Sequence, residues 1–188
     1  SVRRLRALEA RVYVSGHGRT TDTAGMDAYL ELLGLVERAA RDAHARGVKV
    51  YVTVNIFAHN RDLEGLKPYL LQLRRAEVDA LIIADPGILN VARETLPDLA
   101  LHLSTQANVT NTASARFWES QGVRRLNLAR ELGLAEIRQI RAATGAELEI
   151  FVHGALCISY SGRCLLSTYF TGRDANQGDC AHPCRYAY

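Results

Sequence analysis

VKVYVTVNIF, at residues 48–57, is the most strand-like stretch of this 188-residue chain. Its β-branched and aromatic residues run almost without a polar break, which is typical of a strand buried in a parallel sheet. The segment before it has a different period. Residues 27–46 repeat apolar side chains every three to four positions, and Gly47 follows, which predicts a helix and its end. The chain therefore changes from helix to strand within a few residues.

The same alternation continues in both directions. The pattern predicts further strands at 12–14, 79–85, 100–106, 124–130 and 147–154, and helices at 62–76, 86–95, 112–121 and 134–144. Strands that alternate with helices imply right-handed crossovers and a parallel sheet. SGHGRT, at 15–20, lacks the glycine spacing of a dinucleotide-binding loop. We therefore predict an α/β fold, a parallel (β/α) TIM-type barrel over residues 1–154 that is incomplete, with about six of its eight strands.

Composition excludes several classes of protein. Hydrophobic residues make up 48% and charged residues 23% of the chain, which indicates a globular domain rather than a disordered one. The longest apolar runs have the length of strands, so we expect no membrane span. No signal peptide is visible, which favours a cytoplasmic location. A net charge of +3 permits an RNA partner without arguing for one.

Polar side chains follow the predicted strands at their carboxyl ends, where a parallel barrel collects its functional residues. Such residues also cap the following helix, so each one alone has a structural alternative. Arg130 beside Glu131 is either an internal ion pair or an anion anchor with its orienting carboxylate. His153 is either a hydrogen-bonded core residue or a proton-transfer group. The predicted rim consists of Asn55, His59, Asp85, Ser104, Thr105, Gln106, Asn108, Arg130, Glu131 and His153.

All four cysteines lie in residues 155–188, which we predict to be a cysteine-rich segment packed on the barrel mouth. Their spacing is Cys157-x6-Cys164-x15-Cys180-x3-Cys184, and four thiolates match the ligand count of a tetrahedral metal site. Only the last pair has a spacing near that of a zinc knuckle, and the uneven loops suit a bulkier cluster. Disulfides, unligated thiols and a single nucleophilic cysteine are the alternatives.

Two stretches of this segment carry a resemblance to a known family. FVHGALCISYSGRCLLS, at 151–167, and GRDANQGDCAHPCRYAY, at 172–188, resemble the signature of the collagenase-like peptidase family U32. VKVYVTVN, DALIIADPG, LHLSTQANVTN and the pair Arg130-Glu131 also match that family in order. The family was named for peptidases. Its members include iron–sulfur proteins that support hydroxylation of the tRNA wobble uridine, of a ribosomal RNA cytidine and of ubiquinone precursors.

The resemblance implies a function and a set of site residues. RDANQGDCAHPCRY is most similar to the branch that hydroxylates tRNA, which implies an iron–sulfur-dependent enzyme that 5-hydroxylates the wobble uridine with prephenate as a required metabolite. Its partners would be tRNA or another RNA and a small carboxylate. The implied 4Fe-4S ligands are Cys157, Cys164, Cys180 and Cys184. The expected catalytic residues are His153, Arg130, Gln106 and Asn55, and the expected substrate-binding residues are Asp85, Ser104, Thr105, Glu131, Arg163 and Arg173.

Two other classes of function stay open at this point. A peptidase needs a hydrolytic apparatus, and the sequence contains neither HExxH nor GxSxG. Glu149 and His153 would lie about 13 Å apart on an extended strand, which is too far for a shared metal ion. A non-catalytic cluster or zinc scaffold whose partner carries the active site is the third possibility.

Overall fold

The computed structural model describes residues 12–15, 23–154 and 157–187, with side chains from residue 34 onward. Most of the SGHGRT loop therefore lies outside the described residues. Five strands are described with their side chains, and β1, which precedes them, is described as backbone alone. The strands are β1 (Val12–Ser15), β2 (Val50–Val54), β3 (Ala80–Ile83), β4 (Ala100–Leu103), β5 (Arg125–Asn127) and β6 (Glu147–Glu149).

The helices fall between the strands as their periodicity predicts. They are α1 (Thr23–His44), α2 (Asn60–Glu64), α3 (Leu66–Arg75), α4 (Pro86–Thr95), α5 (Thr112–Ser120), α6 (Leu134–Ala143) and α7 (Leu166–Thr171). Short 3₁₀ turns occupy Thr105–Ala107, Tyr160–Gly162, Ala175–Gln177 and Pro183–Arg185. None of the described helices is both long enough and apolar enough to cross a membrane.

The prediction of one continuous helix over 62–76 is wrong. Gly65 ends α2 and also precedes the first residue of α3. Pro68 is the third residue of α3, where a backbone N–H has no partner inside the helix, so the missing donor costs little there. The proline is accommodated because the helix restarts just before it.

The strand order in the sheet follows the chain from β1 to β6, and the pairs β1–β2, β4–β5 and β5–β6 are parallel. On β4, β5 and β6, His102 lies beside Arg125 and Arg125 beside Glu147. This confirms a parallel α/β sheet. Among the described residues no pairing joins β6 back to β1, so closure into a TIM-type barrel is not confirmed.

The chain divides into two compact units. The described part of the first unit consists of β1, α1, β2, α2, α3, most of β3, α4 and Ala100. On its sheet Tyr51, Ala80 and Ile82 are buried together with Ala100 packed against them. At its edge Asp79 accepts a hydrogen bond from the Val50 N–H at 2.6 Å.

The second unit contains residues 55–58, 83–85 and 101–188, and it holds every predicted site residue except His59. Its core is apolar and includes Leu103, Leu126, Leu128, Val109 and Ile140. The strands of this unit are shorter than predicted, so the polar residues that follow them lie in loops rather than on strands. The cysteine-bearing residues 157–187 are part of this unit, and their packing on a barrel mouth stays a prediction.

Candidate functional site

Arg130 and Glu131, which follow β5, both contact the loop that begins at the first cysteine. The two terminal nitrogens of Arg130 donate to the carbonyl oxygens of Cys157 at 3.0 Å and Ser159 at 3.1 Å. Glu131 accepts from the backbone N–H and from the hydroxyl of Ser161, both at 2.8 Å. We call residues 157–161 the thiol loop. The arginine–glutamate pair therefore binds this loop with four charge-assisted hydrogen bonds.

Ser161 is the buried end of the thiol loop. It is fully buried and has φ of 45° and ψ of 31°, in the left-handed region that costs a non-glycine residue about 1–2 kcal/mol. Burial raises the pKa of the Glu131 carboxyl, but the two hydrogen bonds from Ser161 outweigh it and the net pKa is lowered. The carboxylate is thus the form that holds Ser161 in its left-handed conformation.

A cleft of about 430 Å³ brings two of the four cysteines to one place. Cys157 and Cys184 line it together with Arg185, and both thiols are exposed. Arg130, Glu131, Ile158 and Ser159 complete its lining. The Nε atom of Arg130 is buried and has no hydrogen-bond partner among the described residues. Four predicted site residues, Arg130, Glu131, Cys157 and Cys184, therefore line one cleft of the second unit.

Cys164 lies in a network of hydrogen bonds. Asn176 accepts from the Cys164 N–H and donates to the Cys164 carbonyl, both at 3.0 Å. The thiol sulfur accepts from the Leu166 N–H at 3.3 Å. A hydrogen bond from the Ser159 side chain is the largest cause of a lowered pKa at Cys164, which partial burial opposes and the Leu166 and Ser167 N–H groups reinforce. This environment favours the thiolate, the form that binds metals.

Cys180 and its neighbours fold back on a short turn. Its sulfur accepts from the His182 N–H at 3.4 Å and lies 3.9 Å from the His182 Nδ1 atom. The next residue, Ala181, donates its N–H to the hydroxyl of the fully buried Ser167 at 3.0 Å. Ser167 belongs to α7, which starts two residues after Cys164, so this bond links the segments that carry the second and third cysteines.

The donor set fits an iron–sulfur cluster in kind and number, because all four thiols are free and none is buried. The disulfide alternative is therefore not what the structure shows. Within residues 34–154 and 157–187, no three His, Cys, Asp or Glu side chains are arranged to hold a metal ion. The side-chain positions are thus not those of an assembled cluster site, and cluster binding stays a proposal.

The predicted polar residues after β4 are brought together with Asn55. Ser104 is central: its hydroxyl accepts from the Asn55 side chain at 3.3 Å and from the Gln106 N–H at 3.3 Å, and it donates to the Gln106 side chain at 3.4 Å. Thr105 donates to the Leu128 carbonyl at 3.0 Å. These contacts are the capping and loop-fixing bonds that the structural alternative predicts for such residues.

Gln106 and Arg163 connect this cluster to the residues that follow the thiol loop. The Nε of Arg163 donates to the Gln106 carbonyl at 3.4 Å, and its guanidinium lies 5.2 Å from the Phe57 ring centroid, a cation–π distance. Gly162 lies against Gln106 so closely that an added Cβ would meet the Gln106 Cγ at 3.3 Å. Arg163 is exposed and has these local contacts, and its part in substrate binding stays a prediction.

Three further predicted residues lie apart from this cluster of contacts. Arg173 pairs with Asp179 at 2.7 Å, and this carboxylate raises the pKa of the Arg173 guanidinium. His153 is exposed in the loop after β6. Asp85 is half-buried two residues after β3. After β5, no direct ion pair joins Arg130 and Glu131 among the described residues, because both side chains bind the thiol loop. The anion-anchor interpretation of Arg130 stays a prediction.

Sequence reasoning missed four residues that position this site. Ser159 and Ser161 receive the contacts of the thiol loop. Asn176 binds Cys164 and also accepts the Phe57 N–H on its carbonyl at 3.0 Å, and Gln177 donates to the Phe57 carbonyl. The stretch RDANQG was noted only for its resemblance. Its asparagine and glutamine were the available signal, because a side-chain amide both donates and accepts and can therefore bind the backbone of another segment.

Comparison with known proteins gives a consistent result along most of the chain. It is 49% identical over 148 residues to tRNA hydroxylation protein P of Escherichia coli (strain K12), covering 78% of this chain and 33% of the relative. It is 46% identical over 142 residues to tRNA hydroxylation protein P1 of Bacillus subtilis (strain 168), covering 76% and 34%. A 23S rRNA 5-hydroxycytidine synthase of Escherichia coli is 40% identical over 177 residues, covering 94% and 26%.

The chain thus spans about a third of the length of the first two relatives. The solved structure of a U32 peptidase is 24% identical, with a TM-score of 0.57 over 74% of this chain and 58% of that one, which supports the fold. The sequence pattern of peptidase family U32 matches residues 28–188. The chain belongs to peptidase family U32.

Proposed function

We propose that this chain is part of an iron–sulfur-dependent RNA hydroxylase that acts on the wobble uridine of tRNA. One observation carries the proposal: four unpaired thiols lie within residues 157–184 of a chain that is 46% and 49% identical to relatives named for tRNA hydroxylation. The relative named for rRNA hydroxycytidine synthesis supports the broader class, hydroxylation of RNA.

In this proposal Cys157, Cys164, Cys180 and Cys184 hold a 4Fe-4S cluster. When bound, the cluster supplies one-electron chemistry. Hydrogen bonds from Ser159 and from the Leu166 N–H lower the pKa of the Cys164 thiol and so favour the thiolate form that ligation requires. The thiol loop keeps Cys157 at the cleft that Cys184 also lines.

The small carboxylate of the proposal, prephenate, is assigned to the same cleft. The terminal nitrogens of Arg130 already bind backbone carbonyls, whereas Arg185 is exposed at the cleft. We therefore place the carboxylate on Arg185, whose guanidinium fork matches a carboxylate in two parallel bonds. His153 is proposed for proton transfer, because this residue is exposed to solvent.

The remaining predicted residues take supporting parts in the proposal. Asn55 and Gln106 converge on Ser104 and shape the wall next to Arg163. Asp85, Thr105, Glu131, Arg163 and Arg173 stay proposed substrate-side residues, with the local contacts described above.

A chimera tests the function. The matching segment of the Escherichia coli tRNA hydroxylation protein P is replaced by this chain in a strain without hydroxylated wobble uridine, and tRNA nucleosides are measured by mass spectrometry. We expect hydroxylated uridine to return with the unchanged chain and to be lost with Cys157→Ser or Cys184→Ser. Glu136→Gln, on α6 and away from the cysteines, serves as the control and retains the product.

The opposite results would overturn the proposal. If both serine variants restore hydroxylated uridine as well as the unchanged chain does, the cysteines do not carry the activity. If the anaerobically purified chain contains stoichiometric zinc and no sulfide, the iron–sulfur assignment is wrong. Hydroxylation of a quinone precursor with no change in tRNA would move the substrate to another class.

A further inference from the structure

We propose that Arg130 and Glu131 are positioning residues, which fix the thiol loop to the end of β5 and thereby place the thiols of Cys157 and Cys164. This positioning role rests on the proposed function only where it predicts how firmly the thiols hold a cluster. Its physical content, the clamping of one loop by two adjacent side chains, is independent of that function.

The contacts divide the loop between the two side chains. Arg130 holds the first and third residues through their carbonyl oxygens, and Glu131 holds the fifth through its N–H and hydroxyl. Each bond joins an ionised side chain to a neutral polar group, the stronger class of hydrogen bond. Since adjacent residues supply all four bonds, the loop is fixed at both ends to one short segment of backbone.

Apolar burial holds little of the thiol loop. Ile158 is 77% exposed and Tyr160 is 55% exposed, and Cys157 is exposed as well. Ser161 is the one residue of the loop that is buried, and its hydroxyl and N–H are the groups that Glu131 binds. Because burial of Ile158 and Tyr160 contributes so little, the position of the loop depends on the hydrogen bonds of the charged pair.

The position of the thiol loop affects the positions of two thiols, those of Cys157 and Cys164. The carbonyl of Cys157 is itself a partner of Arg130, so the backbone that carries this thiol is held directly. Ser159 is held by its carbonyl to Arg130, and from Ser161 the backbone runs through Gly162 and Arg163 to Cys164, with the Arg163 N–H donating to the Tyr160 carbonyl at 3.0 Å. A change at Arg130 or Glu131 is therefore transmitted to both thiols through the backbone. The bonds of these two residues go to carbonyl, N–H and hydroxyl groups and not to a sulfur atom.

The same contacts engage most of the polar atoms of this pair. Both carboxylate oxygens of Glu131 accept bonds from Ser161. Both terminal nitrogens of Arg130 are bonded to carbonyls, and its Nε is buried. The four bonds assign this pair the binding of the protein's own loop, and anion binding by Arg130 stays a prediction.

The test compares two variants with two matched controls. Glu131→Gln and Arg130→Lys weaken the clamp, because glutamine keeps an accepting oxygen without the charge and lysine donates from one nitrogen instead of two. Glu136→Gln is the first control, because Glu136 also accepts a backbone N–H, that of Gly133 at 2.8 Å, at the start of α6. Arg141→Lys is the second, because Arg141 also binds two backbone carbonyls, those of Ala146 and Thr144, away from the cysteines.

Two measurements are made on all four variants. Hydrogen–deuterium exchange reports the Ser161 N–H, and we expect it to speed up about tenfold in Glu131→Gln, the factor for losing a hydrogen bond to a charged group. After anaerobic reconstitution with ferrous iron and sulfide, loss of iron to a chelator is timed. We expect it to quicken about tenfold in both clamp variants, as for other partners that orient ligands. Exchange at Leu126, on β5, is the internal reference for folding.

The outcomes separate this inference from the proposed function. Unchanged Ser161 exchange in Glu131→Gln, or equal iron loss in clamp variants and controls, overturns the positioning role. If the unchanged chain takes up no iron but Ser161 exchange still accelerates in Glu131→Gln alone, the clamp stands and the cluster proposal falls. Fast exchange at Leu126 would show that a variant has unfolded, and Glu131→Asp, which keeps the charge on a shorter stem, would then replace it, with the same expected acceleration at Ser161.

Discussion

The side-chain amide of Asn176 pairs with both backbone groups of Cys164. Its oxygen accepts from the Cys164 N–H and its nitrogen donates to the Cys164 carbonyl, each at 3.0 Å. The amide thus satisfies the N–H and the carbonyl of Cys164, as a neighbouring strand would do in a sheet. Through its own carbonyl Asn176 also accepts the Phe57 N–H, so one residue links the second cysteine to the loop after β2 within the second unit.

Asn176→Asp tests this pairing. A carboxylate accepts but does not donate, so the Cys164 carbonyl would lose its donor and face a negative charge. We expect the free energy of unfolding to fall by about 1–2 kcal/mol, measured by urea denaturation.

Asn111→Asp is the matched control for that variant. Asn111 caps α5 by accepting the Ser114 N–H at 2.9 Å, and aspartate serves equally well at such a position. We expect its unfolding free energy to stay within about 0.5 kcal/mol of the unchanged chain. If both variants lose the same stability, the pairing with Cys164 has no special effect.

Gly162→Ala probes the close approach of Gln106 to the residue after the thiol loop. Gly162 has φ of 84°, and an added Cβ would lie 3.3 Å from the Gln106 Cγ. Gly122→Ala is the control, since its φ is 82° but nothing lies within 4 Å of its Cβ position. We expect both to lose about 1 kcal/mol of unfolding free energy from backbone strain, and Gly162→Ala to lose about 1 kcal/mol more. Equal losses would show that Gln106 yields without cost.

The strands and most helices could be predicted because their signals are local. The apolar run at 48–57 and the three-to-four spacing in 27–46 each reflect burial that one element needs by itself. Their ends could not be predicted as well. The predicted strand 147–154 extends only over Glu147–Glu149, because a strand ends where its pairing partner ends, and the partner lies elsewhere in the chain.

The site could be predicted only in part, because its residue types are visible locally but its contacts join distant parts of the chain. Arg130, Glu131 and the cysteines stand out by residue type, and their places next to a strand end and in one segment follow from the chain. Their contacts do not. Arg130 reaches residues 27 and 29 positions later, and Glu131 reaches Ser161, 30 positions later. Which carbonyl a guanidinium meets depends on the path of the loop between them, which no local pattern encodes.

Glu119 gives a pH dependence that can be measured away from the cysteines. A hydrogen bond from Thr144 is the largest cause of its lowered pKa, which the N–H groups of Gly145 and Ala146 reinforce against burial. A lowered folded-state pKa adds stability above the unfolded value, ordinarily 4.5, and this stability is lost as the pH falls through the folded value. We expect the stability difference between the unchanged chain and Glu119→Gln to be constant above about pH 5.5 and to shrink below about pH 4.5.

Urea unfolding at a series of pH values checks this, with Glu136→Gln measured in parallel to account for the loss of one carboxylate at the surface. A difference between the unchanged chain and Glu119→Gln that is independent of pH down to about pH 3 would contradict the assignment of the shift to Glu119. A difference that grows on acidification would mean that the carboxyl is held in its protonated form.

Two arginine pairs differ in burial and therefore in their predicted effect on stability. The Arg125 side chain is 11% exposed and binds Glu147 and Glu149, whereas the Arg173 side chain is 53% exposed and binds Asp179. Removal of Arg125 leaves two carboxylates without their partner beside the buried face of the sheet. We expect Arg125→Met to lower the unfolding free energy by about 2 kcal/mol in urea denaturation, less than for a fully buried pair because Glu147 is largely exposed.

Arg173→Met should leave the urea midpoint within error of the unchanged chain, because water and salt screen an exposed pair. Added salt provides the sharper test, since it weakens surface pairs far more than buried ones. We expect the loss in Arg125→Met to persist in about 1 M sodium chloride, where the Debye length is only about 3 Å. A loss that disappears in salt would show that the Arg125 pair behaves as a surface pair, and a large loss in Arg173→Met would show that its loop depends on Asp179 for its fold.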